Sequence, residues 1–236
     1  MALPRLNDTP NYSIKIPSLN KNVKFRPFLV KEQKILLLAL ESQDQKQIFD
    51  SIINTIEACA QDKININAMT SYDIEYVFTK IRAQSIGETS EIVMKCEKCE
   101  SDTKIKVNLN NIVVTDNEID NKIDLENTYT LVMKYPTYND INMLIPTIDN
   151  TTPVDQLYSS IIMCMDKLLT EDESINMNDE PHKEKEEFLD SLNSAQFEKI
   201  INFVNNMPTV TLDADFKCEV CHEENKRTLN GIQDFF

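Results

Sequence analysis

The residues best placed to do chemistry are two short cysteine pairs, Cys96-Glu97-Lys98-Cys99 and Cys218-Glu219-Val220-Cys221, far apart in the chain. Two residues between thiols allow a tight turn that aims both sulfurs at one ion. Two such pairs supply the four thiolates that a tetrahedral structural zinc ion takes. The spacing therefore predicts one zinc ion with Cys96, Cys99, Cys218 and Cys221 as its ligands. C-x-x-C pairs also serve thiol redox chemistry, and Cys218 through His222 matches the pattern of covalent haem attachment. The redox reading lacks the βαβ setting usual for that motif, and both pairs are rich in acids that oppose thiolate formation. The haem reading leaves the first pair unused. His222 could stand in for a thiol, but four cysteines already complete the shell. Glycine often follows the second thiol of such a turn because it adopts positive φ freely; here Glu100 and His222 hold those places.

The elements that must position these thiols read as hairpins. Glu91–Lys95 leads into the first pair and the alternating Ile105, Val107 and Leu109 lead out, while Val210–Lys217 and Lys226–Leu229 flank the second. Together they predict a zinc ribbon split by a large insertion.

At 236 residues with 41% hydrophobic side chains, the chain can bury a real core as one large or two small domains. Its formal net charge is −15, and four thiolates around one zinc ion add roughly two more negative charges. Such a field repels phosphate backbones. A zinc-ribbon nucleic-acid or transcription factor is therefore disfavoured, because the basic cluster Lys21, Lys24, Arg26, Lys31 and Lys34 is interrupted by acids. Only two glycines occur, so P-loop and dinucleotide fingerprints are absent. No apolar run approaches a membrane span and no stretch resembles a signal peptide, which predicts a protein made and kept in cytoplasm. In that reducing setting Cys59 and Cys164, each in an apolar helical pattern, read as small buried hydrophobes.

Taken in order, residues 1–29 read as an arm and a β-hairpin around Ile14, Ile16, Val23 and Phe25, and 30–87 as a helical block. Its helices are Val30–Ser42, Gln45–Ala60 and Ser71–Ile86, with Thr70 or Ser71 capping the last and Gly87 closing it. The first knuckle hairpin occupies 88–115. Residues 116–207 read as an insertion, with a strand ending at Pro136, a short helix from Tyr138, and a longer helix from Pro153 to Leu169. A solvated, mobile acidic loop is expected over 170–187, since its acids lack the ordered spacing and glycine of an EF-hand. A further helix, capped by Ser194, precedes the second knuckle and the aromatic tail in 208–236. The expected fold is thus α+β and mainly helical, with the split zinc ribbon and the N-terminal hairpin.

The segments Ala2-Leu3-Pro4-Arg5-Leu6 and Phe25 through Lys34, together with the paired knuckles, resemble the baseplate hub and hub assembly proteins of T4-like contractile-tailed phages, over the whole chain. The resemblance implies a non-enzymatic hub subunit or assembly factor, with no catalytic residues. Its implied partners are other baseplate hub proteins, the spike, and tail-tube or tape-measure proteins. It also implies assembly in the host cytoplasm and a place in the virion tail baseplate. A thiol redox protein remains the enzymatic alternative.

Overall fold

A computed structural model describes residues 10–115, 119–125, 129–148 and 152–231, without the side chains of 144–148. The N-terminal signature at 2–6 and the aromatic tail at 232–236 lie outside the described residues. Two compact units form: Met1–Thr115 with Thr209–Phe236, and Asp116–Pro208.

The first unit begins with the antiparallel hairpin β1 (Tyr12–Ile16) and β2 (Lys21–Phe25), in which Ile14 faces Val23. Alternation puts Ile14, Ile16, Val23 and Phe25 on one buried face. Three helices follow: α1 (Val30–Ser42), α2 (Gln45–Cys59) and α3 (Ser71–Ser85). Thr70 caps α3, and the fully buried Asp73 carboxylate accepts from the Thr70 amide at 3.0 Å and the Ser18 amide at 2.9 Å. It also accepts from both hydroxyls, so one side chain ties the hairpin turn to the start of α3. A long hairpin comes next, β3 (Thr89–Lys95) with β4 (Asp102–Asn108), and then the short β5 (Val113–Val114).

Among its described residues the second unit has a four-stranded antiparallel sheet and four helices. Its strands β6 (Lys122–Asp124) and β7 (Thr130–Met133) precede α4 (Tyr138–Ile148) and α5 (Pro153–Cys164). Strands β8 (Met165–Leu169) and β9 (Ser174–Asn176) precede α6 (His182–Asp190) and α7 (Ser194–Asn205), and the sheet order is β6-β7-β8-β9. Leu131, Met133, Ile161, Met165, Ile200 and Phe203 are buried in its core, and Tyr135 stacks on Phe203.

The chain then returns to the first unit. Strand β10 (Val210–Asp213) pairs with β5 on one side and β13 (Thr228–Asn230) on the other, and β11 (Phe216–Lys217) and β12 (Glu224–Asn225) carry the β10–β13 hairpin on to its tip. The crossing is fastened where the Thr115 amide donates to the Thr209 carbonyl at 2.9 Å and the Thr209 amide to the Thr115 hydroxyl at 2.9 Å.

One feature of the expected fold is corrected. The protein is α+β without being mainly helical, with 42% helix and 26% strand across several sheets. Part of the difference lies at Met165–Leu169, which the sequence reads as the end of a long helix and which instead forms the strand β8 between β7 and β9. An apolar run of that length satisfies either period, and pairing with β7 decides it. Both expected C-x-x-C hairpins form, the first on β3 and β4 and the second on β11 and β12. The second runs on in one register through the Ala214 amide, which donates to the Arg227 carbonyl at 2.8 Å, into β10 and β13, and β10 also pairs with β5, while β3 and β4 pair with each other. Smaller differences follow the local chemistry. The Asn193 side chain, rather than Ser194, caps α7 by accepting from the Gln196 amide at 2.9 Å. Within 170–187 the structure places β9 and the start of α6.

Candidate metal centre

The two knuckles repeat one backbone plan. In the first, the Cys96 amide donates to the Ser101 carbonyl and the Glu100 amide to the Cys96 carbonyl, both at 3.0 Å. In the second, the Cys218 amide donates to Glu223 at 2.9 Å and the His222 amide to Cys218 at 3.1 Å. Each turn closes through a left-handed residue, Glu100 at φ 57° and His222 at φ 59°. These are the places where glycine was missing from the sequence, and both side chains adopt the conformation at a cost of about 1 kcal/mol each.

The four sulfurs gather at one point. All lie within 4.8 Å of one another, with Cys96 to Cys221 and Cys99 to Cys218 each at 3.6 Å. Sulfurs bound tetrahedrally at ~2.3 Å from a zinc ion stand roughly 3.8 Å apart, so the cluster matches the size of such an ion. The set is compatible with a metal ion, and among the described residues it is the one group of three or more side chains so arranged. His222 is not part of it.

The cluster is electrostatically unbalanced by itself. The Cys218 thiol is pulled down to about 5, first by the Ser101 hydroxyl and then by the amide of Cys221, with that of Val220 adding to them. The amides of Cys99 and Lys98 lower Cys96 against the opposing effect of burial. At Cys221 the amide of Glu223 favours the thiolate, but burial and the three neighbouring sulfurs push the group up to about 12. Two thiols are thus lowered beside a third that burial and hydrogen bonding to its sulfur neighbours raise. A divalent cation relieves that conflict.

Other side chains bridge the knuckles. The buried Asn225 accepts from the Glu97 amide at 2.9 Å and turns its Nδ2 toward Cys96 Sγ at 3.6 Å. Ser101 Oγ sits 3.0 Å from Cys99 Sγ and 3.2 Å from Cys218 Sγ. Ion pairs link Lys98 to Glu223 at 2.6 Å and Arg227 to Glu97 at 3.3 Å. None of these four bridges is signalled by the sequence; an Asn three residues before the outgoing strand and a Ser two after a thiol carry no pattern. The other two cysteines lie apart from the cluster, buried by the cores, with burial raising Cys59 to about 11 and Cys164 to about 12. The basic cluster is also partly neutralised: Arg26 pairs with the buried Glu32 at 3.0 Å.

A site that offers four sulfurs and no open position suits holding chain segments together more than turning over a substrate. The chain belongs to the family described as T4 bacteriophage base plate protein, whose profile matches residues 9–236, and this family gives it a structural role in the phage tail baseplate. No curated protein and no solved structure matches it. No helix among the described residues is long and apolar enough to cross a membrane.

Proposed function

We propose that the chain is a non-enzymatic subunit or assembly factor of the central baseplate hub, in which one zinc ion on Cys96, Cys99, Cys218 and Cys221 joins the two knuckles. The observation that carries the metal reading is the gathering of four sulfurs within 4.8 Å from segments that meet only through tertiary structure. An all-sulfur, tetrahedral-sized set favours zinc over magnesium or calcium, which take oxygen ligands. Bound there, zinc supplies a fixed cross-link between the knuckles. The protein is made in the host cytoplasm and ends in the tail baseplate.

Partner binding is supported by α1, whose Val30, Ile35, Leu37, Leu38 and Leu40 are each more than half exposed. Beside it a cavity of about 630 Å³ is lined by Leu36, Leu37 and Leu40 with Ile48, Ile52 and Phe78. An apolar surface of this kind is costly in water and suits burial against another hub protein of the baseplate.

Two measurements test the reading. Elemental analysis with native mass spectrometry, on protein purified without chelator, is expected to give one zinc per chain. The double substitution Leu37→Asp with Leu40→Asp is expected to keep the fold and the metal, and to abolish co-purification with hub, spike, tail-tube and tape-measure proteins of the same phage. Metal-free protein with four reactive thiols would overturn the first half; unaltered co-purification would overturn the second.

A further inference from the structure

The four thiols of the cluster are not equivalent. Cys96 and Cys218, the first of each pair, are both only 1% exposed, whereas Cys99 is exposed and Cys221 half-buried. Hydrogen bonding divides them the same way. Cys96 receives the amides of Lys98 and Cys99 together with the Asn225 side chain. Cys218 receives the amides of Val220 at 3.4 Å and Cys221 at 3.5 Å, with the Ser101 hydroxyl at 3.2 Å. Cys221 has the single amide of Glu223, and Cys99 shares the Ser101 hydroxyl, whose one proton serves one sulfur at a time.

Each N–H or O–H aimed at a thiolate withdraws electron density from the sulfur and blocks a line of approach, so a sulfur with two or more donors of its own is a poorer nucleophile than one with a single or shared donor. Burial acts in the same direction, because an attacking reagent must reach the sulfur. We propose that the centre has a closed side, Cys96 and Cys218, and a reactive side, Cys99 and Cys221, and that soft electrophiles modify the metal-loaded protein at Cys99 first. This rests on the zinc reading and adds to it the place where the site is attacked and opened.

With a maleimide as the electrophile the step balances simply. The Cys99 sulfur forms a bond to one alkene carbon, the other carbon takes a proton from water, and the resulting thioether is no longer an anionic ligand. Loss of that ligand weakens the grip on the metal, so the closed-side thiols become accessible only afterwards.

The test treats the full chain, carrying its metal, with substoichiometric N-ethylmaleimide, maps the labelled cysteines by peptide mass spectrometry and measures bound zinc in the same samples. Cys99 is expected to be labelled first and Cys221 second, each about tenfold or more ahead of Cys96 and Cys218. Equal rates, or Cys96 or Cys218 first, with one zinc still bound per chain, would overturn this inference alone. A chain that never held metal would overturn the zinc reading and this one with it. In Asn225→Ala, labelling of Cys96 is expected to rise toward the rate at Cys99 while Cys99 itself is unchanged. A uniform rise at all four thiols, or none at Cys96, would count against the hydrogen-bond argument, and the order in the parent protein tests the proposal whether or not that variant folds.

Discussion

The two units solve the problem of holding a chain together in different ways. Asp116–Pro208 is continuous, and its sheet and helices close over a core of Leu131, Met133, Ile161, Ile200 and Phe203. The other unit is assembled from two segments, and beside the buried Val210, Leu212 and Leu229 of the returning segment, specific local links join them. Two residue pairs between β5 and β10, the bonds between Thr115 and Thr209, and the meeting of the two knuckles do that work. Burial of apolar area is forgiving of detail, while a four-sulfur cluster is all or nothing. The continuous unit should therefore be robust to loss of metal and sensitive to cavities, and the discontinuous unit sensitive to both.

The largest effect expected from this contrast is at the thiols. Cys218→Ser should release the metal and cost the first unit several kcal/mol, leaving Asp116–Pro208 intact. Hydrogen exchange read by mass spectrometry on the full chain should show faster exchange in β3, β4, β11 and β12 and unchanged protection in β7 and β8. Equal loss in both units would break the comparison. Next in size is the converse substitution, Leu131→Ala, at a fully buried position of β7. It should destabilise the second unit by about 2–5 kcal/mol in chemical denaturation and leave the zinc content at its parent value.

A smaller effect concerns pH and belongs to the discontinuous unit alone. Burial raises the Glu75 carboxyl on α3 from 4.5 to about 7, and its oxygens stand 3.5 and 3.6 Å from where a side chain on Gly231 would begin. A carboxyl whose pKa is higher in the folded state than in the unfolded state keeps its proton longer when folded. Its contribution is most favourable below about 4.5, declines as pH rises toward 7, and stays lost above that. Glu75→Gln should remove this dependence, so its stability relative to the parent should grow by about 2–3 kcal/mol between pH 5 and pH 8. Denaturation midpoints of both proteins across that range measure it; a constant difference would show that Glu75 does not titrate in this interval. The smallest effect is at the knuckle turns. Glu100→Gly, at φ 57°, should relieve the left-handed strain and stabilise the first knuckle by about 0.5–1 kcal/mol, visible as a higher melting temperature with the same metal content.

Much of the local structure was legible from side chains alone. The period-two pattern of Ile14, Ile16, Val23 and Phe25 marks the first hairpin, and the spacing of Ile74, Val77, Phe78 and Ile81 marks the buried face of α3, while of Ile48, Ile52, Ile53 and Ile56 in α2 only Ile53 and Ile56 are buried. These are consequences of geometry within a few residues, where side-chain type and backbone period suffice. The cysteine spacing was legible for the same reason, since a two-residue gap is a local property of a turn. Membership in the baseplate family, too, was carried by the sequence, with a match over residues 9–236 that takes in Phe25 through Lys34 and both knuckles.

Tertiary structure decided the rest. Met165–Leu169 is a strand because β7 and β9 flank it, and nothing in its own composition distinguishes that outcome from a continued helix. The second knuckle hairpin is tied back to the first segment because β10 finds β5, a partner far back in the chain. Asn225 beside Cys96 and Ser101 between Cys99 and Cys218 make contacts across 129, 2 and 117 positions of sequence. A polar side chain has no preferred partner until the backbone has brought one within hydrogen-bond distance. The identity of the four thiols was thus a property of the sequence, and the difference between their two sides a property of the fold, because exposure and hydrogen bonding depend on neighbours that only folding supplies.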